Sequence, residues 1–377
     1  MLRPATADDG EALWALLAST IDELTGMASL PTSAEAAEDR CRTSAATVAA
    51  LDAGPLTEPP PDAEGRSLPL LFVLAQPGAG PLLGVTGATV HHGVVNHSVE
   101  IATNRHGKGL SLRGRRRRWT CTELNATFLD ARARGAGLGT LLSRGRLAFL
   151  ASVADRIPAT IVSHLRGPAT EGAAPFWHSF GVRVLPEWPT SSVAEARLVS
   201  EPDRLDELSA YAMPIDPSVL EVLGSVHEAS LPAFRLLHDE GLRPNGMYDP
   251  VDGGPTLTGE LAGLLTTRRR RPATVIVGDG HRARSDSPDG PGEEPTRLSA
   301  TGVPASTGKP VDALVTNARI NGFGVQRAAI GLSGSPDHGV AELPPELAAA
   351  LGLDTGAACE VIPLRAGTQA ESGGAVR

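Results

Sequence analysis

The sequence predicts an α/β protein, α+β in arrangement, with a mixed central sheet flanked by helices and a small β-rich C-terminal domain. Three observations carry this. Through residues 1–270, apolar residues recur at helical spacing in some segments and in strand-like runs in others. A glycine-rich stretch, Arg134–Gly139, separates a strand-like run from a helical one. Residues 311–365 hold short β-rich runs and one short helical pattern. A chain of 377 residues is too long for a single compact core, so two domains are expected.

In chain order, Met1–Arg3 reads as a short strand, and Thr6 with Asp9 as a capping box. Leu13, Leu16, Leu17, Ile21 and Leu24 give one apolar helical face. Gly26–Pro31 is a loop, and Ser33 starts a second helix that ends near Leu51. Pro55–Gly65 is a proline-rich, acidic loop, and Leu68–Ala75 and Leu82–Val90 make a hairpin. His91–Trp119 holds His91, His92, His97, His106 and the basic run Arg113–Arg118, which read as a solvated, mobile loop. Those histidines have no fixed spacing, so no metal site is expected.

Thr120–Leu129 reads as a strand, Thr140–Ala154 as a helix and Ala159–Leu165 as the next strand. Phe176 and Trp177 are core aromatics beside it. Another strand fits Glu195–Val199, and helices fit Asp203–Ala212, Pro217–Leu223 and Leu231–Glu240, the last closed by Gly241. Gly246–Tyr248, Thr256–Leu261 and Ala273–Val277 are extended. Residues 278–309, rich in Gly, Pro, Ser and charge, are expected to be a disordered insert. Strands at Val311–Ile320, Val325–Leu332 and Cys359–Leu364, with a short helix and a turn over Leu343–Gly356, suggest a small barrel or sandwich over 311–365, and 366–377 is a tail.

Composition excludes several classes. A net charge of −9 argues against a nucleic-acid binder. The longest apolar run, Leu68–Ala75, is far short of the roughly 18 residues of a membrane helix. No leader is read at the start, because the first apolar segment is amphipathic. Cys41, Cys121 and Cys359 are scattered, which indicates neither a disulfide framework nor a zinc site. A cytoplasmic protein is expected.

The stretch Leu129–Leu142 joins a strand to the N-terminus of a helix through a glycine turn. Such a turn aims backbone N–H groups and the positive end of a helix dipole at one point, where a pyrophosphate fits. A dinucleotide fold would place this turn after the first strand, with an acidic residue about twenty residues later at the end of the second strand; here the turn falls near residue 135 and no acidic residue stands at the end of a second strand. The order Arg134-x-x-Gly137-x-Gly139 instead resembles the coenzyme A loop of GNAT-type N-acyltransferases, whose element order the first part of the chain follows. Further segments are Gly26–Pro31, Thr122–Leu124, Phe128–Asp130, Leu141–Arg146, Pro175–Gly181, Val226-His227 and Asp252–Leu257. In this order they resemble the arginine N-succinyltransferase family, from residue 1 to about 270 and weakly to 365.

The resemblance implies a GNAT-like fold and an acyl-coenzyme A-dependent N-acyltransferase. Most simply this is succinyl transfer from succinyl-coenzyme A to the α-amine of arginine or ornithine by direct attack in a ternary complex. Succinyl-coenzyme A would be a co-substrate, with no permanently bound cofactor, and a homo- or hetero-oligomer is expected. The coenzyme would be held by Arg134, Gly135, Gly137 and Gly139, and by the strand edge Thr127, Phe128 and Leu129. The position of Thr127, where the family usually has Leu, contacts the acyl-coenzyme A through its backbone. The resemblance assigns His227 as proton donor, for which imidazole is suited; a capping or core histidine is the structural alternative. A guanidinium acceptor asks for a carboxylate, and Glu123, Glu100 and Asp252 are candidates, Asp252 equally as a turn residue. The family's aromatic residues and prolines are missing from His91–Trp119, which keeps open another acyl group and another amine. A non-catalytic partner subunit is the third reading.

Overall fold

A computed structural model describes residues 1–18, 30–56, 65–76, 80–103, 110–169, 174–192, 212–214, 217–278 and 310–364. The expected strand at 195–199, the helix over 203–211, the insert at 279–309 and the tail at 366–377 lie outside them.

Strand β1 (Leu2–Pro4) leads through the capping box of Thr6 and Asp9 into helix α1 (Gly10–Ala18). Arg3 grips both oxygens of Asp9 at 2.7 Å. Helix α2 (Ala34–Ala53) starts at Ser33, whose hydroxyl accepts from the Ala36 N–H. Strands β2 (Arg66–Ala75) and β3 (Leu82–Thr103) then pair as a hairpin. Alternation along β2 sorts the core. Leu71 and Val73 pack with Leu13, Leu17 and Cys41 of α1 and α2. Leu70, Phe72 and Leu74 pack with Leu142, Phe149 and Leu150 of α3 (Leu138–Ser152).

Strand β4 (Leu110–Leu129) pairs antiparallel with β3 over most of its length. This corrects the reading of 91–119 as a mobile loop: outside 104–109, which are not described, the segment is a long two-stranded ribbon. Its arginines are tied into that ribbon, because Glu100 on β3 accepts from Arg115 Nε at 2.9 Å and Arg117 Nη2 at 2.7 Å. Val99, fully buried, packs with Phe176 and Phe180. Strand β5 (Thr160–His164) lies parallel to β4. Strand β6 (Ala212–Pro214) extends β4 on one side, where the final residue of a helix was expected.

Helices α4 (Pro217–Val222) and α5 (Leu231–Glu240) follow, α5 closed by Gly241 at φ 112°. Strands β7 (Arg243–Tyr248) and β8 (Pro255–Glu260) return, with β8 antiparallel to β5. Strands β9 (Arg271–Val277), β10 (Val311–Thr316), β11 (Val325–Gly334), β12 (Gly339–Leu343) and β13 (Ala358–Pro363) come last. The pairings β10–β13, β13–β9, β9–β12, β12–β11 and β11–β10 close on themselves, so these five form a small barrel. Val275, Val315, Ile330 and Val361 fill it, and Leu347 and Leu351 of helix α6 (Pro345–Leu351) pack against it. Strand β12 was not read from the sequence, where its glycine and acidic residue blur the pattern. The barrel is not separate from the main sheet, because Val325 of β11 pairs with Leu2 of β1.

Candidate active site

The β4–β5 ladder consists of two pairs, Thr122 with Ile161 and Glu123 with Val162. Beyond them the strands part, and the Ser163 hydroxyl reaches the Leu124 carbonyl at 3.2 Å. The β5-facing edge of 125–129 therefore has no strand partner among the described residues. At the same point β4 bulges: Val85 pairs with Phe128 but Gly87 with Asn125, and Ala126 takes φ 51°.

Arg146 of α3, almost fully buried, fills the bulge. Its Nη1 donates to the Gly87 carbonyl at 2.5 Å and the Asn125 carbonyl at 3.0 Å, and lies 3.4 Å from Thr127 Oγ1. Burial pushes its pKa down to about 9. The sequence did not single out Arg146, since an arginine at a buried helix position carries no pattern of its own. Thr127 Oγ1 bonds Thr86 Oγ1 at 2.8 Å. Phe128 is buried under α1 and α2, and Leu129 packs on the α3 side.

After β4, the Asp130 N–H donates to Leu83 O, and its carboxylate caps the turn by accepting from the Arg132 N–H at 2.8 Å. The Arg132 guanidinium holds the Asp130 pKa down to about 2. Gly135 (φ 90°) and Gly137 (φ 75°) are left-handed, and Gly137 is the N-cap of α3. Gly139 opens the helix, where a Cβ would meet nothing within 4 Å. Arg134 lies exposed on the turn, its Nε donating to Leu129 O at 3.3 Å. The first turn of α3 holds no acidic residue, which suits an anion there.

His227 is half-buried at the end of the β5 extension: its backbone N–H donates to Arg166 O at 2.8 Å. Its Nδ1 accepts from the Ala229 N–H at 3.1 Å, so the neutral ring carries its proton on Nε2. Gly224 and Gly253 allow the neighbouring walls to close in; a Cβ would lie 2.9 Å from Tyr248 on the first and 2.9 Å from Phe176 on the second. Phe176 and Trp177 are buried, and Trp177 Nε1 donates to Trp188 O at 3.0 Å.

Glu123 stands at the last paired residue before the strands part, on the face shared with α2. Its Oε2 meets His91 Nε2 at 2.9 Å, and His91 Nδ1 meets Ser67 Oγ at 2.9 Å. Burial acts to raise the Glu123 pKa, but the His91 bond and the charges of His164, His91 and Arg40 outweigh it, leaving it below its ordinary value. Strand register brings His91 onto an acidic partner that lies far off in sequence. His164 stacks on Trp119 at 5.5 Å and bonds Thr256 Oγ1 at 3.1 Å. The Asp252 Oδ1 accepts from the Gly254 N–H at 2.8 Å, in the β7–β8 turn. No group of three or more His, Cys, Asp and Glu fit for a metal occurs among the described residues. No helix among them is long and apolar enough to cross a membrane.

The fold and this site define a mixed α/β protein built round a glycine turn between a parted strand pair and a helix. A solved structure, arginine/ornithine succinyltransferase subunit AI from Pseudomonas aeruginosa, superposes with TM-score 0.71 over 97% of this chain and 98% of that one. At 23% identity that likeness shows the fold. Residues 1–266 match the family model described as arginine N-succinyltransferase beta subunit, and the chain belongs to that family. Arginine N-succinyltransferase of Enterobacter sp. (strain 638) is 32% identical over 185 residues, 48% of this chain and 51% of that protein. The Escherichia coli O1:K1 / APEC protein of that name is 31% identical over 173 residues, 44% and 49% of the two chains. The chain thus spans about half the length of the curated relatives it matches.

Proposed function

We propose that this protein is an acyl-coenzyme A-dependent N-acyltransferase that moves a succinyl group from succinyl-coenzyme A to the α-amine of arginine or ornithine. The observation that carries this is the parted β4–β5 pair, with the Gly135–Gly139 turn following the end of β4 and His227 hydrogen-bonded just past the end of β5. Backbone N–H groups at the start of α3, with Arg134 beside them, take the pyrophosphate. The open edge at Thr127–Leu129 holds the pantetheine arm and polarises the thioester carbonyl. The neutral amine attacks that carbonyl; a C–N bond forms, the C–S bond breaks, and the amine's surplus proton leaves to solvent. The imidazolium form of His227 donates a proton to the departing thiolate and is recharged from solvent. Glu123, kept ionised by His91, receives the acceptor's cationic group. Both Glu100 oxygens are engaged by Arg115 and Arg117, and Asp252 caps a turn, which favours Glu123 among the three.

The family name and the superposed subunit support an oligomeric enzyme, homomeric or heteromeric. Three buried free cysteines suit a reducing cytoplasm. Purified protein is assayed by thiol release from succinyl- and acetyl-coenzyme A with a panel of amino acids. Turnover with succinyl-coenzyme A and arginine or ornithine is expected; release only with another acyl donor or amine overturns the substrate assignment, and none with any pair overturns the enzyme reading.

A further inference from the structure

Arg327 stands on β11, beyond the residues matched by the family model, yet it reaches the glycine turn. A Cβ on Gly137 would fall on Arg327 Nη1, so the guanidinium lies directly against the start of α3. Packing explains the reach. Gly145, further along α3, lets the helix lie on β1 and β11; a Cβ there would come 2.5 Å from Leu2 Cδ2 and 3.0 Å from Val325 Cγ1. Val325 and Arg327 share one face of β11, so Arg327 falls on the same helix nearer its start. Asp312 on β10 grips Arg327 Nε at 2.9 Å and Nη2 at 2.7 Å. That fork presents the remaining nitrogen, Nη1, to the turn.

A helix N-terminus carries about half a positive charge, and α3 has no acidic residue in its first turn. Arg134 adds a cation on the same turn, and the Asp130 carboxylate is occupied by Arg132 at 2.5 Å. A guanidinium pressed onto this end is repelled by it, and Asp312 offsets one charge only. An anion accepting from both the α3 N–H groups and Nη1 satisfies both.

We infer that Arg327 is a phosphate ligand: its Nη1 donates to the pyrophosphate of acyl-coenzyme A seated on the Gly137 turn, so the C-terminal barrel completes the co-substrate site. The inference rests on the acyl-coenzyme A reading above. It is tested by calorimetric titration of the full chain with coenzyme A, 3′-dephospho-coenzyme A and succinyl-pantetheine, with melting temperatures for each variant. R327M is expected to weaken coenzyme A binding roughly tenfold or more, since a charge-assisted bond is lost, at an unchanged melting temperature. R327K recovers part of the loss. The same penalty is expected with 3′-dephospho-coenzyme A and none with succinyl-pantetheine, which has no pyrophosphate. Should R327M fail to fold, R327Q makes the same comparison. Unchanged coenzyme A affinity in a folded Arg327 variant overturns the inference while leaving the acyltransferase reading intact. A penalty that vanishes with the dephospho ligand places Arg327 on the 3′-phosphate and overturns the pyrophosphate assignment. Wild-type protein that binds no coenzyme A overturns both.

Discussion

Single residues divide here into those that shape backbone and those that carry charge or protons. Gly137 is of the first kind: it sits at φ 75° with a guanidinium where its Cβ would be. Gly137→Val forces a β-branched residue into the left-handed region and displaces Arg327. Loss of measurable acyl-coenzyme A binding is expected with a native circular dichroism spectrum; wild-type affinity in that variant would remove the turn from the site. His227 is of the second kind. His227→Ala should lower kcat by roughly 10²–10⁴ with little change in KM, the pattern of a group acting in the transition state. His227→Gln should fail nearly as badly, since it has no titratable proton. Because Nδ1 accepts from the Ala229 N–H, the ring also caps a turn. A purely capping role predicts a lower melting temperature with near-normal kcat. Glu123 has a folded pKa below its unfolded one. Its stabilisation is present above the unfolded value, roughly 4.3, and is lost as pH falls through the folded pKa. Glu123→Gln should therefore flatten the loss of stability below about pH 4, read by urea unfolding at stepped pH; an acid limb as steep as that of wild type counts against the pairing.

Elements meet through buried cations. Arg146 joins α3 to the β4 bulge through carbonyl acceptors, and a desolvated guanidinium costs free energy that those acceptors offset. Arg146→Met leaves the Gly87 and Asn125 carbonyls unpaired in the core, which should cost about 2–4 kcal/mol and loosen the strand edge at Thr127–Leu129. Chemical denaturation gives the first, and a raised KM for the acyl donor the second; wild-type values for both would show the bulge to be held by other contacts. The arginine ribbon teaches a related point. A run such as Arg113–Arg118 suggests solvation, yet β3 supplies Glu100 at the register that accepts from two of its members.

At the scale of the whole molecule, the barrel is docked on the main sheet at several places. Val325 pairs with Leu2, Arg270 holds both Glu360 and the Ala151 carbonyl at the end of α3, and Arg269 Nη1 donates to Leu364 O at 3.0 Å. Beside them Glu240, fully buried, forms an ion pair with Arg144 at 2.7 Å and accepts from the Thr266 N–H at 2.8 Å. Barrel and sheet should accordingly melt in one calorimetric transition. Glu240→Gln, which leaves the Arg144 charge without its partner, should lower stability by about 3–5 kcal/mol and move that transition as a unit. Two resolved peaks in the wild-type scan would show the barrel to be an independent unit.

The sequence by itself determined what depends on neighbours along the chain. Periodicity placed α1, α2, α3 and α5 and the first hairpin, because the apolar face of each is written within its own residues. The capping box at Thr6, the Ser33 cap and the Gly241 closure were local and legible for the same reason. The turn at Arg134–Gly139 was legible because left-handed backbone, which Gly135 and Gly137 adopt, favours glycine. Tertiary structure alone decided what depends on register and docking. Ser67, His91 and Glu123 lie on three strands, and only their pairing sets them side by side. Arg146 reveals its role only where the bulge bares two carbonyls. Arg327 reaches Gly137 across 190 residues of chain because Gly145 lets α3 lie against β11, a contact that no local pattern encodes.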